Sequence, residues 1–256
     1  MKLEDNYLLE RAVAERAIHT VFQPVVDMDT GQITGVEGLA RWTLADGKSI
    51  PPDIFIPQSI ECGLIVPLTL GMIAYVRTLL IHSVLPAESG LTIGFNTERK
   101  CLESTIFIDT CLDFITSLSG KGISLALEIT EREPVSDLSL RGLELLRRAG
   151  AIIVLDDFGT GYATQEAIEV IKPDIVKLDR SLTSLANKET TNNFLSGCID
   201  EIHSHTGIRV LAEGVETLSE QTWLYDRGVC LMQGWLYGRP QCWKLILSKL
   251  MAQNKI

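Results

Sequence analysis

Polar side chains end almost every short apolar run in this chain of 256 residues. Most of these side chains are carboxylates, and the others are amides and a lysine. Any one of them has an ordinary explanation, because strands often end in polar residues where they reach solvent. As a set they predict a single site, formed in chain order by Glu37, Asn96, Glu128, Asp156 with Asp157, Lys177 with Asp179, Glu213 with Glu216, and Gln233.

The chemistry that this set favours is divalent metal binding. Carboxylates that converge from several strands repel one another, which raises their pKa values and destabilises the fold, and a bound divalent cation removes that penalty. Because all the ligands are oxygen donors, Mg²⁺ or Mn²⁺ is favoured over Zn²⁺. We interpret the four histidines as structural: His19 at the end of a helical stretch, His82 inside one, and His203 and His205 diverging on a helix.

Two adjacent aspartates indicate that the site holds two ions. Asp156 and Asp157 stand at a predicted strand end, where each can face a different ion. Two ions about 3.5–4 Å apart can share a bridging water as nucleophile and stabilise charge on a scissile phosphate. Lys177 would hydrogen-bond that water or offset phosphate charge; its alternative role is a structural ion pair. The glycines of 158–162 fit neither nucleotide-loop motif, and we interpret them as a flexible turn.

The elements that must position these residues are short apolar strands alternating with longer amphipathic helices. This alternation predicts a parallel sheet covered on both faces. About eight such units favour an α/β fold, the (β/α)8 TIM-like barrel, whose strands bring their C-terminal ends to one face; a doubly wound open sheet is the alternative. The tight turn at 27–31 requires antiparallel neighbours, so we expect an irregular barrel with one antiparallel strand near the start.

Composition excludes several classes of protein. A net charge of −10 repels nucleic acid, so we expect neither DNA nor RNA as a partner. Six scattered cysteines without a CxxC pair favour reduced, mostly buried thiols in a cytoplasmic protein. The start of the chain lacks the apolar core of a signal peptide. Pro67 and Arg77 interrupt the apolar stretch at 64–85, which we predict to be a buried helix without membrane insertion.

No linker or repeat divides the chain, so we expect a single domain over residues 1–256. Its parts would be an N-terminal helix within 1–20, a barrel over 21–240 and a C-terminal helix within 241–256. The first helix is predicted to cover about 4–18. Neither a sensory nor a GGDEF-like domain is visible, so the regulatory input is unspecified, and the chain is compatible with being the cytoplasmic domain of a longer protein.

A series of short motifs follows one order along residues 22–240: FQP, VEGLARW, GFN, EITER, DDFGTGY, KLDR, AEGVE, and QGW followed by RP. Together they resemble the EAL family of cyclic di-GMP phosphodiesterases. The resemblance implies a hydrolase that opens cyclic di-GMP to linear pGpG through a metal-activated water. It also implies two Mg²⁺ or Mn²⁺ ions, a homodimer, and a place in bacterial second-messenger signalling that controls biofilm formation and motility.

The resemblance further implies a role for each matched residue. The metal ligands would be Glu37, Asn96, Glu128, Asp156, Asp157 and Glu213. Lys177 would orient the nucleophilic water and Gln233 would support the site, so that the catalytic set is Glu37, Asp157, Lys177, Glu213 and Gln233. The substrate contacts would be Gln23, Leu39, Arg41, Asp179 and Glu216. Glu131 would steady the loop after its strand, which the family links to metal binding and dimerisation.

The departures from the family pattern spare every expected metal ligand. Gly38 replaces the usual alanine and Arg132 the usual serine, while Gln58–Ile60 and Thr164–Gln165 replace other customary residues. These changes could alter loop order, substrate affinity or partner choice. The alternative function is a catalytically silent EAL-like module that binds cyclic di-GMP or a protein partner and regulates it. A further alternative is an unrelated barrel enzyme that acts on another phosphorylated substrate.

Overall fold

The computed structural model describes residues 6–85, 90–130, 136–159, 165–186 and 192–253. The strands are β1 (Ile18–Asp27), β2 (Gln32–Thr43), β3 (Ser49–Ile50), β4 (Thr92–Asn96), β5 (Ser124–Thr130), β6 (Ile152–Phe158), β7 (Ile175–Leu178), β8 (Arg209–Ala212) and β9 (Leu231–Gln233). The helices are α1 (Asn6–Ala14), α2 (Pro52–Glu61), α3 (Ile65–His82), α4 (Arg99–Leu102), α5 (Thr105–Leu118), α6 (Asp137–Arg148), α7 (Gln165–Ile171), α8 (Arg180–Thr183), α9 (Asn192–Ser204), α10 (Leu218–Tyr225) and α11 (Trp243–Gln253).

The sheet closes into a barrel, because β1 pairs with both β2 and β9. The ring runs β1, β2, β4, β5, β6, β7, β8, β9, and the short β3 pairs with β2. Neighbours from β2 round to β9 are parallel, whereas β1 is antiparallel to both of its partners. The predicted TIM-like barrel with one antiparallel strand near the start is confirmed.

The antiparallel start follows from the turn between β1 and β2. The amide of Gly31 donates to the carbonyl of Asp27 at 2.7 Å, and Gly31 has a φ of 68°, which glycine adopts without strain. A connection this short leaves no room for the crossover that parallel strands need. The chain therefore reverses, and β1 runs against the rest of the barrel.

The helices cover the barrel with amphipathic faces, and α6 shows how the sequence sets their limits. Ser136 caps its start by accepting a hydrogen bond from the amide of Ser139 at 3.1 Å. Leu143 and Leu146 are buried, each stabilising the fold by about 1.5–3 kcal/mol relative to an exposed side chain. Gly150, with a φ of 100°, follows the helix end, as the sequence pattern predicts.

All six cysteines are free thiols, and only Cys101 and Cys111 are buried, so the expectation of mostly buried thiols is wrong. Cys101 and Cys111 lie in the main apolar core, between the barrel wall and the surrounding helices. Burial raises the pKa of the Cys101 thiol to about 12 and also raises the pKa of Cys111. Both thiols are therefore inert packing groups at neutral pH.

Two expectations about the helices are wrong. Helix α1 ends at Ala14 instead of continuing to about residue 18, because Arg16 takes a left-handed φ of 56° and turns the chain into β1. His19 therefore lies in a strand rather than at a helix end. The helix predicted over the apolar stretch at 64–85 is confirmed as α3, which continues through Pro67 and Arg77.

Helix α3 tolerates both residues for simple reasons. Pro67 lies in the first turn, where its missing N–H leaves no hydrogen bond unmade. Arg77 reaches the surface, where it donates to Ser117 and pairs with Asp113. By length and composition alone α3 is long and apolar enough to cross a membrane, and 39% of the helix is buried in the fold. Helix α3 packs against α5, α4, α2, β1 and α1.

Candidate active site

The inward-facing residues of the barrel form two layers. One layer is a small apolar cluster of its own: Val25, Ala126, Val154, Ile175, Leu211 and Leu231. Residues of a strand face the same side at every second position. Two positions after this apolar layer, the inward-facing residues of β5, β6, β7 and β9 and the residue just after β8 are polar. They are Glu128, Asp156, Lys177, Glu213 and Gln233. The apolar layer closes the barrel beneath, and the polar layer forms the floor of a cavity at the C-terminal ends of the strands.

Lys177 lies at the centre of the polar layer and is almost fully buried, with 2% of its side chain exposed. Its Nζ is 2.5 Å from carboxyl oxygens of both Glu128 and Glu213. Asp156 and Glu37 are further contacts, at 3.4 and 3.6 Å. One ammonium group thus faces four carboxylates, which come from β2, β5 and β6 and from the residue that follows β8.

Glu37 is held by two amide side chains. Nδ2 of Asn96 donates to its Oε1 at 2.7 Å, and Nε2 of Gln233 donates to its Oε2 at 2.7 Å. These bonds fix the carboxylate of β2 from β4 on one side and from β9 on the other. The barrel therefore has to close before this carboxylate is oriented.

Burial opposes ionisation of this cluster. It raises the pKa of Glu128 well above the usual range, raises that of Asp156, and raises that of Glu213 to about 8. Burial also opposes the charge of Lys177, but the surrounding carboxylates outweigh this effect and raise the pKa of the ammonium. Lys177 is therefore a permanent cation, and the carboxyl groups around it are shifted toward their protonated forms.

Asp156 and Asp157 differ in environment despite being neighbours. Asp156 is buried, and its Oδ1 accepts a hydrogen bond from the amide of Asp157 at 2.9 Å. Asp157 has a left-handed φ of 58°, a conformation that aspartate tolerates better than most residues. This backbone turn aims two adjacent side chains in different directions. Gly159 follows with a φ of 98°, and residues 160–164 lie outside the described part of the chain.

A cavity of about 290 Å³ opens above the polar layer. It is lined by Gln23, Glu37, Leu39, Asp156, Arg180, Glu213, Gly214, Glu216, Gln233, Gly234 and Trp235. Expected substrate contacts at Gln23, Leu39 and Glu216 are therefore brought together with the carboxylates.

Two other expected substrate residues do not line this cavity. Arg41 is half-buried, and its Nη1 donates to the carbonyl of the neighbouring Ala40 at 2.8 Å. Asp179 is the N-cap of α8, where it accepts a hydrogen bond from the amide of Ser181 at 2.8 Å. Glu131, expected to steady a loop, lies outside the described residues, as does Arg132.

Two glycines in the barrel strands leave space for other side chains. A Cβ on Gly94 would lie 2.0 Å from Oε1 of Glu128, so this position must lack a side chain for Glu128 to reach Lys177. A Cβ on Gly38 would lie 3.0 Å from the ring of Phe95. The ring thus occupies the space that the methyl group of an alanine would need at residue 38.

The donor set fits a hard divalent cation. Carboxylate oxygens outnumber the cationic groups, and the buried Oε1 of Gln233 has no hydrogen-bond partner. Among the residues described, no three His, Cys, Asp or Glu side chains are already arranged to hold an ion; Nζ of Lys177 lies between the carboxylates instead. A cation would therefore have to share this layer with the lysine.

The model of the EAL domain family matches residues 8–240. The chain belongs to the EAL domain family. It is 35% identical over 250 residues to the probable cyclic di-GMP phosphodiesterase PdeG of Escherichia coli K12, covering 94% of this chain and 49% of that protein. It is 34% identical over 220 residues to the cyclic di-GMP phosphodiesterase PdeL of the same organism, covering 85% and 61%.

This EAL domain therefore spans about half to three fifths of the length of these two relatives. Among solved structures it superposes on the PaMucR phosphodiesterase in its c-di-GMP complex with a TM-score of 0.78 and 27% identity. That match covers 96% of this chain and all (100%) of the other.

Four residues that line the cavity of this EAL domain were not among the expected site residues: Arg180, Trp235, Gly214 and Gly234. Arg180 follows Asp179 and begins α8, and Trp235 lies two positions after Gln233. Trp235 continues the two-residue alternation of β9 beyond the end of that strand. This alternation is visible in the sequence and predicts that Trp235 faces the same side as Gln233. No periodicity marks Arg180, because it belongs to a short helix rather than to a strand.

Proposed function

We propose that this EAL domain is a metal-dependent phosphodiesterase that hydrolyses cyclic di-GMP to linear pGpG by attack of water on one phosphodiester bond. The observation that carries the proposal is the buried group of carboxylates around Lys177 at the C-terminal ends of the strands, where barrel enzymes place their chemistry. The names of PdeG and PdeL support the choice of substrate.

The expected ligands for two Mg²⁺ or Mn²⁺ ions are Glu37, Asn96, Glu128, Asp156, Asp157 and Glu213. When bound, such ions supply positive charge to the phosphate oxygens and lower the pKa of water at the site. The chain itself supplies the orientation: Asn96 and Gln233 fix both oxygens of Glu37. The apolar layer beneath the site excludes bulk water from below.

Lys177 and Glu213 have distinct roles in the proposed reaction. Nζ of Lys177 is fixed by its carboxylate contacts, so it donates to the attacking water or to a phosphate oxygen from a set position. Glu213 is the carboxylate of this group most open to the cavity, with 22% of its side chain exposed, and it is placed to accept the proton of the water. Water oxygen bonds to phosphorus, the bond to the 3′ oxygen breaks, the freed 3′ oxygen takes up a proton to become a hydroxyl, and pGpG retains the new 5′-phosphate.

The first test is turnover by the purified chain. Cyclic di-GMP is incubated with Mg²⁺ or Mn²⁺, and pGpG is followed by chromatography. We expect turnover that depends on the metal and is lost in Glu37→Gln, which keeps the side-chain shape but removes the charge. Glu144→Gln, on the surface of α6, is the matched control and should retain turnover. A folded wild-type chain that fails to produce pGpG would contradict the proposal.

A second candidate function is a catalytically silent module that binds cyclic di-GMP or a protein partner and regulates it. The observation in its favour is that Lys177 already neutralises part of the carboxylate charge without a metal ion. This function predicts cyclic di-GMP binding that does not change with Mg²⁺ and yields no product. The same turnover assay, combined with calorimetric binding in EDTA, separates the two functions.

We also propose that residues 1–256 form one domain that works as a homodimer in the cytoplasm and binds neither DNA nor RNA. The net charge of −10 supports the exclusion of nucleic acid. Sedimentation of the purified chain at several concentrations tests the dimer. A single monomeric species at all of them would contradict it.

A further inference from the structure

The guanidinium group of Arg180 is held in one orientation at the rim of the cavity. Its central carbon lies 5.1 Å from the centroid of the Trp235 ring, and its Nη2 is 2.5 Å from Oε1 of Glu216. Gly214, with a φ of 65°, packs against its stem, so that a Cβ there would lie 2.4 Å from Cγ of Arg180. Three neighbours thus fix a side chain that is 56% exposed and would otherwise sample many rotamers.

Trp235 is unusual for a residue that only supports a fold. The ring lines the cavity but is 47% exposed, and the guanidinium of Arg239 also lies over it, 4.0 Å from the centroid. An exposed aromatic side chain flanked by arginines at a cavity rim is typical of a binding surface.

The rim and the floor of the cavity differ in the chemistry that they offer. The floor carries the buried carboxylates and Lys177, which suit a phosphodiester and its cations. The charge of Arg180 is already compensated by Glu216, so this residue offers a planar set of N–H donors rather than net positive charge. Such a group suits a neutral, flat acceptor more than a second phosphate.

We propose that Arg180 binds a guanine base of the substrate at the cavity rim, with Trp235 as the residue that positions it. The inference rests on the proposed function. Guanine presents two acceptors, O6 and N7, to the fork of an arginine, and this bidentate pair is the commonest specific contact to guanine. Adenine presents an amino group in place of O6, which Arg180 would face with another donor. Arg180 therefore discriminates guanine from adenine.

The experiment measures kcat and KM for cyclic di-GMP and for cyclic di-AMP in Mn²⁺. The variants are Arg180→Met, Arg180→Lys, Trp235→Leu and Trp235→Phe. Loss of a bidentate contact weakens discrimination by roughly 10-fold or more. We expect Arg180→Met to raise KM for cyclic di-GMP by that factor, with little change in kcat and in KM for cyclic di-AMP. Arg180→Lys should behave likewise, because lysine keeps the charge but lacks the fork.

Trp235 is tested by the same readout. Trp235→Leu should lower the guanine preference less than Arg180→Met does, and Trp235→Phe should restore most of it because an aromatic face remains. Arg227→Met is the matched control: Arg227 lies 3.7 Å over the ring of Trp223, a similar pair outside the residues that line the cavity. Its KM values should equal those of the wild type.

Each result has one meaning. A wild-type chain that does not hydrolyse cyclic di-GMP overturns the proposed function and this inference together. An active wild type with Arg180 variants that keep the guanine preference overturns the inference alone. Equal losses for both dinucleotides, restored by Arg180→Lys, would assign Arg180 to a phosphate and also overturn it.

Discussion

Oε2 of Glu37 accepts a hydrogen bond from Nε2 of Gln233 at 2.7 Å, although the two residues lie 196 positions apart. The bond joins the second strand of the barrel to the last one across β1. Asn96 holds the other oxygen of Glu37, so both oxygens of this carboxylate are held only in the closed barrel.

Loss of the Gln233 amide should therefore damage the site more than the fold. We expect Gln233→Ala to lower kcat by roughly 10- to 100-fold, the usual range for a residue that orients a metal ligand. The midpoint of thermal unfolding should change little. Gln221→Ala is the control, because Gln221 is a half-buried glutamine of α10 that accepts a hydrogen bond from Tyr237. Unchanged kcat in Gln233→Ala would show that Glu37 does not need this support.

Replacement of Lys177 should destabilise the chain. Lys177→Met removes the cation that three buried carboxylates and the partly exposed Glu213 share, and loss of one partner of a buried ion pair costs about 3–5 kcal/mol. Urea unfolding at neutral pH in EDTA measures this change in the free energy of unfolding. Added Mg²⁺ should recover part of the loss. A variant as stable as the wild type would mean that the carboxylates are neutral without the lysine.

Gly94 should tolerate no side chain. In Gly94→Ala the new Cβ would lie 2.0 Å from Oε1 of Glu128, so the carboxylate must move away from Lys177. We expect lower turnover and a smaller stabilisation by Mg²⁺. Gly197→Ala in α9 is a matched control, because nothing lies within 4 Å of its added Cβ. Full activity of Gly94→Ala would contradict the packing described for Glu128.

The metal-free chain should lose stability as pH rises from about 5 to 8. Burial raises the pKa of Glu213 to about 8 in the folded state and also raises those of Glu128 and Asp156. In the unfolded chain carboxyl groups titrate near 4. Between about pH 4 and pH 8 the folded state binds more protons than the unfolded chain. The stability that these protons contribute is therefore present at low pH and is lost as the pH rises through about 8.

Metal binding should show the opposite dependence on pH. Cations bind the deprotonated carboxylates, so Mg²⁺ should raise the unfolding temperature more at about pH 8 than at about pH 5.5. Thermal unfolding with EDTA or Mg²⁺ at each pH measures both effects. An equal shift at the two pH values would show that proton release does not accompany metal binding.

The sequence predicts the barrel and most of the polar layer for one physical reason. Strands with a two-residue period place an apolar residue and then a polar one on the same inner face, as Ile175 and Lys177 do in β7. Parallel strands bring these ends together without further information. The turn at Gly31 likewise determines the direction of β1.

The orientation of side chains beyond the strand ends could not be predicted from the two-residue alternation. Arg41 donates to the carbonyl of Ala40 and does not line the cavity, whereas Arg180 does; the substrate contact of Arg41 stays a prediction. That outcome depends on how α8 and the backbone of Gly214 pack, which is tertiary information. The same limit explains the error at His19, since a single left-handed residue, Arg16, ended the helix early.

Hydrolysis in water enriched in ¹⁸O tests the central claim most directly. The wild-type chain is mixed with cyclic di-GMP and Mn²⁺, and the products are analysed by mass spectrometry. Attack of water on one phosphodiester predicts pGpG that carries a single ¹⁸O in its terminal phosphate. Cyclic di-GMP recovered intact from a folded, metal-loaded chain that binds it would contradict the account and identify the domain as a receptor.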